Sequence, residues 1–179
     1  MNNINTIYVI DSSALIYLRR HNPIDIYEKP WERLTELISK DRLITHSQVK
    51  EEITDGNDFL VDWFKEQDKQ YGWVFGITDY QNEIIPQIQE KFPRFIKPEN
   101  KHDADPFVFA LSLDKIKNPP QQTTLFSKNN YVIITNEKSA NKRNLSNPWE
   151  VVYIPDFCEI YKIGCVDIFG CFRKEGWKF

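Results

Sequence analysis

The chain has 179 residues, of which 41% are hydrophobic and 14% aromatic, and this is enough apolar material for the core of one domain spanning residues 1–179. A formal net charge of −3 and a pI of about 5.7 exclude a polycation that binds nucleic acid through phosphate contacts alone. A nucleic-acid substrate would therefore need a bound metal ion to receive its phosphate. The mean hydropathy of −0.54, and a sequence without a membrane-length apolar run or a signal-peptide pattern, predict a cytoplasmic protein that does not span a membrane.

Strands and helices alternate along the first half of the chain. Residues 7–10 are apolar without polar alternation, which indicates a strand covered on both faces, and Asp11 follows directly. Ser12 and Ser13 are candidate caps for a helix over residues 14–18. The other elements predicted here are a helix starting at Pro30, a strand over residues 42–45, a helix capped by Ser47 and ended by Gly56, and helical stretches from Asp58 to about Phe95 with breaks at Gly72 and Gly76.

The second half continues the alternation. Asp105 and Pro106 open a strongly apolar helix, residues 131–134 form a third buried strand, and residues 151–154 form a fourth. The tail alternates short helices and turns. The whole pattern predicts an α/β fold with a central, mostly parallel sheet of four to five strands flanked by helices.

Four acidic residues occupy related positions in this predicted fold. Asp11 and Glu137 follow strands, while Glu52 and Asp105 lie at the starts of helices. Because functional sites of parallel sheets form at the carboxyl ends of the strands, all four can point into one crevice. Clustered carboxylates repel one another and need a divalent cation, and oxygen ligands favour Mg²⁺ or Mn²⁺ over zinc.

Each of these acids also has a simpler interpretation. Acidic residues fill 26 of 179 positions, so about one position in seven is acidic by chance. Asp105 and Asp103 can serve only to cap their helix, and either Glu51 or Glu52 can be a solvated helix charge. Ser12, Thr135 and Asp103 are candidates to orient the ligands or to contact a phosphate. The basic residues beyond Glu137 that could touch a nucleic-acid backbone, but could equally be solvated charges, are Lys138, Lys142 and Arg143.

Other site chemistries fit the sequence less well. The three histidines have no metal-ligand spacing, and no Ser-His-Asp arrangement is apparent, so water would be the nucleophile. His102-Asp103 lacks the further histidines and the all-helical frame of the HD phosphohydrolases. A haloacid-dehalogenase-type phosphatase needs a second Asp where Ser13 stands. Three cysteines without a C-x-x-C pair argue against a zinc ribbon and a disulfide framework, and predict reduced thiols.

Four segments together resemble the PIN domains, in the order seen in that family. They are residues 8–16 (YVIDSSALI), 47–53 (SQVKEEI), 104–110 (ADPFVFA) and 132–137 (VIITNE). The chain is similar, nearly end to end, to a bacterial subfamily of PIN-like proteins that shares the Ala-Asp-Pro-aromatic helix start and the stretch near Ile154-Pro155-Asp156-Phe157-Cys158.

The resemblance implies a three-layer PIN-like fold and cleavage of RNA with Mg²⁺ or Mn²⁺. The family's acids correspond to Asp11, Glu52, Asp105 and Glu137, although the last position is often Asp in the family. Many small PIN proteins are toxins silenced by an antitoxin, so the implied partners are an RNA substrate, a cognate antitoxin and a second copy of the chain. The alternative is a binding or interaction protein with a catalytically inactive PIN-like fold.

Overall fold

Five strands and eight helices make up the residues that the structure, a computed structural model, describes, which are 5–54, 58–92, 103–119, 129–139 and 152–179. The strands are β1 (Asn5–Ile10), β2 (Leu43–His46), β3 (Val74–Phe75), β4 (Asn129–Ile134) and β5 (Gly164–Val166). The helices are α1 (Ser12–His21), α2 (Glu28–Ser39), α3 (Ser47–Thr54), α4 (Phe59–Tyr71), α5 (Asp79–Lys91), α6 (Asp105–Lys117), α7 (Ile154–Tyr161) and α8 (Ile168–Lys174).

The strands form one parallel sheet in the order β3-β2-β1-β4-β5. In the centre, Val9 of β1 aligns with Ile44 of β2 on one side and with Ile133 of β4 on the other. The chain extends the sheet in one direction through β2 and β3, and then crosses to the opposite side of β1 for β4 and β5. This confirms the predicted parallel α/β fold and puts the topological switch point between β1 and β4, the place where open parallel sheets bind ligands at their carboxyl edge.

The central strands are buried because helices cover the sheet. Residues 7–10 of β1 and 131–134 of β4 are all buried, as their uninterrupted apolar runs predict. Helix α6 packs against β1, β2 and β4, and against α5 and α7, while α1 packs against α3, α4 and α8. Two elements therefore approach the switch point from the helical layers: α1, which follows β1 directly, and the start of α6.

Three predicted features of the secondary structure were wrong. The predicted strand over residues 151–154 is absent where the structure describes it: Val152 and Tyr153 belong to no regular element, and Ile154 begins α7. Val151 lies outside the described residues. Pro155 explains the difference, because proline is well suited to the first turn of a helix. Strands β3 and β5 were not predicted, and α2 begins two residues before Pro30.

Other predicted features were confirmed or lie outside the described residues. Helix α4 ends at Gly72, whose φ of 62° lies in the left-handed region that glycine adopts readily. All three cysteines are free thiols. Gly56 lies outside the described residues. Within the described ranges, no helix combines the length and the apolar character needed to cross a bilayer.

An ion pair joins the last helix to the amino edge of the sheet. Two guanidinium nitrogens of Arg42, which precedes β2, donate to the two carboxylate oxygens of Glu175, just past α8, at 2.9 and 2.7 Å. The Tyr8 hydroxyl donates to the same carboxylate at 2.7 Å, and the third guanidinium nitrogen donates to the Thr6 carbonyl at 3.0 Å. Burial acts to raise the pKa of Glu175, but the hydrogen bonds and charge of Arg42 hold it below its usual value.

Candidate functional site

Asp11 is a buried carboxylate at the carboxyl end of the central strand. Its side chain is 1% exposed, and its backbone N–H extends the β1–β4 ladder by donating to the Ile134 carbonyl at 2.9 Å. The carboxylate accepts hydrogen bonds from the hydroxyls of Ser13 at 2.5 Å, Thr135 at 3.0 Å and Ser12 at 3.4 Å, and from the Ser13 N–H at 3.3 Å. Burial raises the pKa of Asp11 above its usual value, and these hydrogen bonds oppose the rise.

Glu52 reaches the same place from helix α3, where it is the sixth of eight residues and not near the helix start as predicted, because α3 begins at Ser47 directly after β2. Its Oε1 accepts the backbone N–H of Ala104, just before α6, at 2.9 Å. Burial raises the pKa of Glu52, and the negative charges of Asp11 and Asp103 raise it further. The Ser12 hydroxyl and the Ala104 N–H oppose that rise. The Ser12 hydroxyl itself donates to Asp11 at 3.4 Å.

Glu51, the competing candidate on α3, differs from its neighbour in exposure. Glu51 is exposed, whereas Glu52 is half-buried and bonded to the start of α6. This contrast favours Glu52 as the acid that serves the site.

The start of α6 brings two further acids to this edge. Asp105 is the first residue of the helix, as predicted, and both it and Asp103 are buried. The Asp105 N–H donates to Asp103 Oδ1 at 3.4 Å, and Ala104 caps the helix without a side-chain hydrogen bond. Asp103 therefore has the local role that its helix-start position indicates, while its charge also acts on Glu52.

The residues that follow β4 hold other elements around the site. Thr135, which is buried, accepts the Glu137 N–H on its hydroxyl at 3.1 Å while donating to Asp11. Glu137 Oε2 accepts the N–H of Ile154 at 3.2 Å, at the start of α7. Glu137 is thus tied to Asp11 through Thr135, and one of its carboxylate oxygens is engaged by α7. Its role as a metal ligand stays a prediction.

Sequence reasoning missed the part that Ser13 plays. Besides donating to Asp11, the Ser13 hydroxyl accepts the backbone N–H of Asn136 at 3.0 Å, and it lies 3.1 Å from the Thr135 hydroxyl. Asn136 in turn accepts the N–H of Ile168 at the start of α8. The available signal was a serine two residues after a strand-ending acid, but that pattern is also typical of a helix cap.

The acids at this edge have the donor chemistry of a hard-cation site without the finished geometry of one. Carboxylate and hydroxyl oxygens suit Mg²⁺ or Mn²⁺. In the part of the chain that the structure describes, no group of three or more His, Cys, Asp or Glu side chains stands in an arrangement that could hold a metal ion. The salt bridges found there involve neither Asp11 nor Glu52. Among the described residues, neutral hydrogen-bond donors therefore hold these two carboxylates, and no basic side chain forms a salt bridge with them.

The predicted phosphate-binding bases are only partly described. Lys138 is exposed just past β4, while Lys142 and Arg143 lie outside the described residues, as does His102.

Comparisons with known proteins complete the description. One family model matches residues 8–179, nearly the whole chain. The chain belongs to the family DUF4411, described as a domain of unknown function. No curated protein is significantly similar to it in sequence. Among solved structures, VapBC-1 from nontypeable Haemophilus influenzae matches with a TM-score of 0.49 and 15% identity, covering 91% of this chain and 98% of that one.

Proposed function

We propose that this protein is a metal-dependent ribonuclease that hydrolyses RNA phosphodiester bonds with Mg²⁺ or Mn²⁺. The observation that carries the proposal is that Asp11, buried at the topological switch point, and Glu52, whose pKa is raised in part by the charge of Asp11, come to the same place from β1 and α3. No salt bridge of the described residues neutralises either of them. An acid that lacks a basic partner among these residues is costly to ionise, and a bound cation would relieve that cost.

The proposed ligands are Asp11, Glu52 and Asp105, with Glu137 as the outermost acid. A bound divalent ion would lower the pKa of a water molecule and balance charge on the phosphate. The protein's own residues prepare the site: the hydroxyls of Ser13 and Thr135 hold the Asp11 carboxylate in one orientation.

Two other residues follow from the same geometry. The Ser12 hydroxyl donates to Asp11 and lowers the pKa of Glu52, so it would help to prepare both acids for an ion. Lys138, exposed three residues after Thr135, would contact the RNA backbone.

The decisive experiment combines metal binding with RNA cleavage. Isothermal titration of the purified protein with Mn²⁺ should give saturable heat, and Asp11→Asn should abolish it while reducing Mn²⁺-dependent cleavage by roughly 100-fold or more. Asp62→Asn is the matched control, because it makes the same change on an exposed position of α4. Equal cleavage by the wild type and Asp11→Asn would contradict the proposal.

The alternative, an inactive PIN-like binding protein, is favoured by one observation. A carboxylate oxygen of Glu137 bonds to the start of α7, so this acid already has a structural task. An inactive protein has no need for a carboxylate-dependent Mn²⁺ site. A titration without heat would therefore support this second function.

The partners and location belong to the same proposal. The PIN resemblance implies a cognate antitoxin, a homodimer and a cytoplasmic setting. Co-expression with the product of the adjacent gene, followed by size-exclusion chromatography with light scattering, tests the first two together. A complex that suppresses RNA cleavage is the expected result for an antitoxin.

A further inference from the structure

His46 is a buried histidine where strand β2 meets helix α3. It is the last residue of β2, and its side chain is 1% exposed. Its Nδ1 lies 3.0 Å from the backbone N–H of Gln48, in the first turn of α3, and accepts a hydrogen bond from it. Because an accepting nitrogen carries no proton, the ring hydrogen must be on Nε2, which then donates to Gln81 Oε1 at 3.1 Å. The contacts therefore specify a neutral imidazole in one tautomer.

A chain of hydrogen bonds continues from this ring to helices α5 and α6. The Gln81 amide donates to Asp114 Oδ2 at 3.2 Å. Asp114 also accepts from the Thr78 hydroxyl and the Asn118 amide, each at 2.8 Å. His46, Gln81 and Asp114 are buried, whereas Thr78 and Asn118, which hold the far end of the network, are exposed.

Besides these hydrogen bonds, the imidazole ring of His46 contacts the start of α6. Its ring stacks on the Phe107 ring, with centroids 5.1 Å apart and planes inclined by 28°. Phe107 lies two residues after Asp105, and Gln48 lies one helical turn before Glu52. The same two helices are joined directly by the bond between Glu52 and the Ala104 N–H. One imidazole thus contacts the first turns of both helices that carry proposed ligands.

We propose that His46 is a positioning residue that sets the spacing between α3 and α6, and thereby between Glu52 and Asp105. This inference rests on the proposed function for its consequence, because the spacing matters for binding of a divalent cation. The positioning itself is a property of the protein without metal and can be measured separately.

The first test uses amide hydrogen exchange by NMR without metal. The Ala104 N–H reports the α3–α6 spacing, because it donates to Glu52. His46→Asn keeps an acceptor for the Gln48 N–H but loses the stack and the link to Gln81, and Phe107→Leu removes only the stack. Both should accelerate exchange at Ala104 by roughly 10-fold, relative to Ile133 in the core of β4, since local opening requires only the local contacts to break. Glu175→Gln, at the amino edge, is the control: it should leave the exchange rate at Ala104 unchanged, because it weakens the fold globally without breaking the local contacts.

The second test measures Mn²⁺ affinity of the same variants by calorimetry. His46→Asn and Phe107→Leu should weaken binding by roughly 10-fold or more, and Glu175→Gln should not. Unchanged Ala104 exchange, or an acceleration shared equally by Ile133, would overturn the positioning role, as would unchanged Mn²⁺ affinity. If the wild type binds no Mn²⁺, the proposed function fails, and the exchange ratio alone decides whether His46 sets the spacing.

Discussion

The acids at the two edges of the sheet differ in their partners and in the direction of their pKa shifts. At the amino edge, Glu175 receives hydrogen bonds from Arg42 and Tyr8, and its pKa is lowered. At the carboxyl edge, Asp11 and Glu52 receive hydrogen bonds from hydroxyl and amide groups but form no salt bridge among the described residues, and their pKa values are raised. The carboxylates at both edges accept hydrogen bonds, so the difference is the positive charge of Arg42, which only Glu175 has beside it among the described residues.

This difference distinguishes a structural acid from the two acids that we propose bind a metal ion. A carboxylate matched by a guanidinium is stable as an anion, and Glu175 holds the end of α8 against the sheet. Carboxylates that have only neutral donors among the described residues carry a desolvation cost that a cation would relieve. Asp11 and Glu52, which carry this desolvation cost, lie at the topological switch point, where ligands bind in open parallel sheets.

The largest contrast is expected when one acid is removed from each edge. Glu175→Ala should lower the free energy of unfolding at pH 7 by about 3 kcal/mol, because it leaves the partly buried Arg42 without its partner. Asp11→Asn should change it by less than about 1 kcal/mol, or should stabilise the protein, because a buried charge is removed. Urea denaturation at pH 7 measures both. Equal destabilisation by the two variants would contradict the comparison.

Acid titration of stability sharpens the comparison further. The pKa of His46 is lowered from 6.5 to about 4, chiefly by burial, although the Gln81 hydrogen bond and the negative charge of Glu51 oppose this. As pH falls, His46 is therefore protonated in the unfolded chain before it is protonated in the folded protein. The stability contributed by neutral His46 is present above about pH 6.5 and is lost as pH falls through about 4. The loss amounts to at most about 3 kcal/mol.

The acids at the two edges add pH dependences of opposite sign. The raised pKa of Asp11 contributes stability that is present at low pH and lost as pH rises through its folded value, whereas the lowered pKa of Glu175 contributes stability that is lost as pH falls. Denaturation of wild type, His46→Asn and Asp11→Asn between pH 4 and 7 should show a shallower acid loss in His46→Asn and a steeper one in Asp11→Asn. Parallel curves for the three proteins would refute these assignments.

The strands that could be predicted from the sequence are those in which several consecutive residues are apolar and buried. Strands β1 and β4 are uninterrupted apolar runs, and the acid that follows each run is visible without coordinates. Strands β3 and β5 have two and three residues, too few for any periodicity to be read. They belong to the sheet because longer neighbours supply their hydrogen bonds, and no local pattern reports that.

The site was predictable as a set of acids but not as a network. Asp11 could be singled out because it directly follows a buried strand, whereas Glu52 and Glu51 could be separated only by their exposure in the structure. Ser13 could not, because its bond to the Asn136 N–H joins residues 123 positions apart. His46 was judged by metal-ligand spacing alone, whereas its role depends on a stack with Phe107, which comes from another helix.

Ser13→Ala is expected to lower stability less than Glu175→Ala does, and to lower Mn²⁺ affinity less than Asp11→Asn does. It deprives Asp11 of one hydrogen bond and leaves the Asn136 N–H without its acceptor, at a cost of about 1–2 kcal/mol in unfolding free energy. Because Ser13 orients a proposed ligand, Mn²⁺ affinity should also fall by roughly 10-fold. Thermal melts and calorimetry measure the two effects. Ser39→Ala is the control, since that serine hydroxyl bonds only to an exposed carbonyl of its own helix among the described contacts. A fall in stability without a fall in affinity would restrict Ser13 to a structural role.

The smallest effect is expected at the amino edge from Tyr8→Phe. This change removes the third donor to Glu175 but leaves the Arg42 ion pair intact, so it should cost about 1 kcal/mol. Tyr27→Phe, at an exposed position before α2, should cost close to nothing and serves as the control. If the countercharge and not the number of hydrogen bonds keeps Glu175 ionised, the midpoint of acid unfolding should move little in Tyr8→Phe. A shift as large as that caused by Glu175→Ala would show that neutral donors alone can hold a buried carboxylate as an anion. The contrast between the two edges would then lose its physical basis.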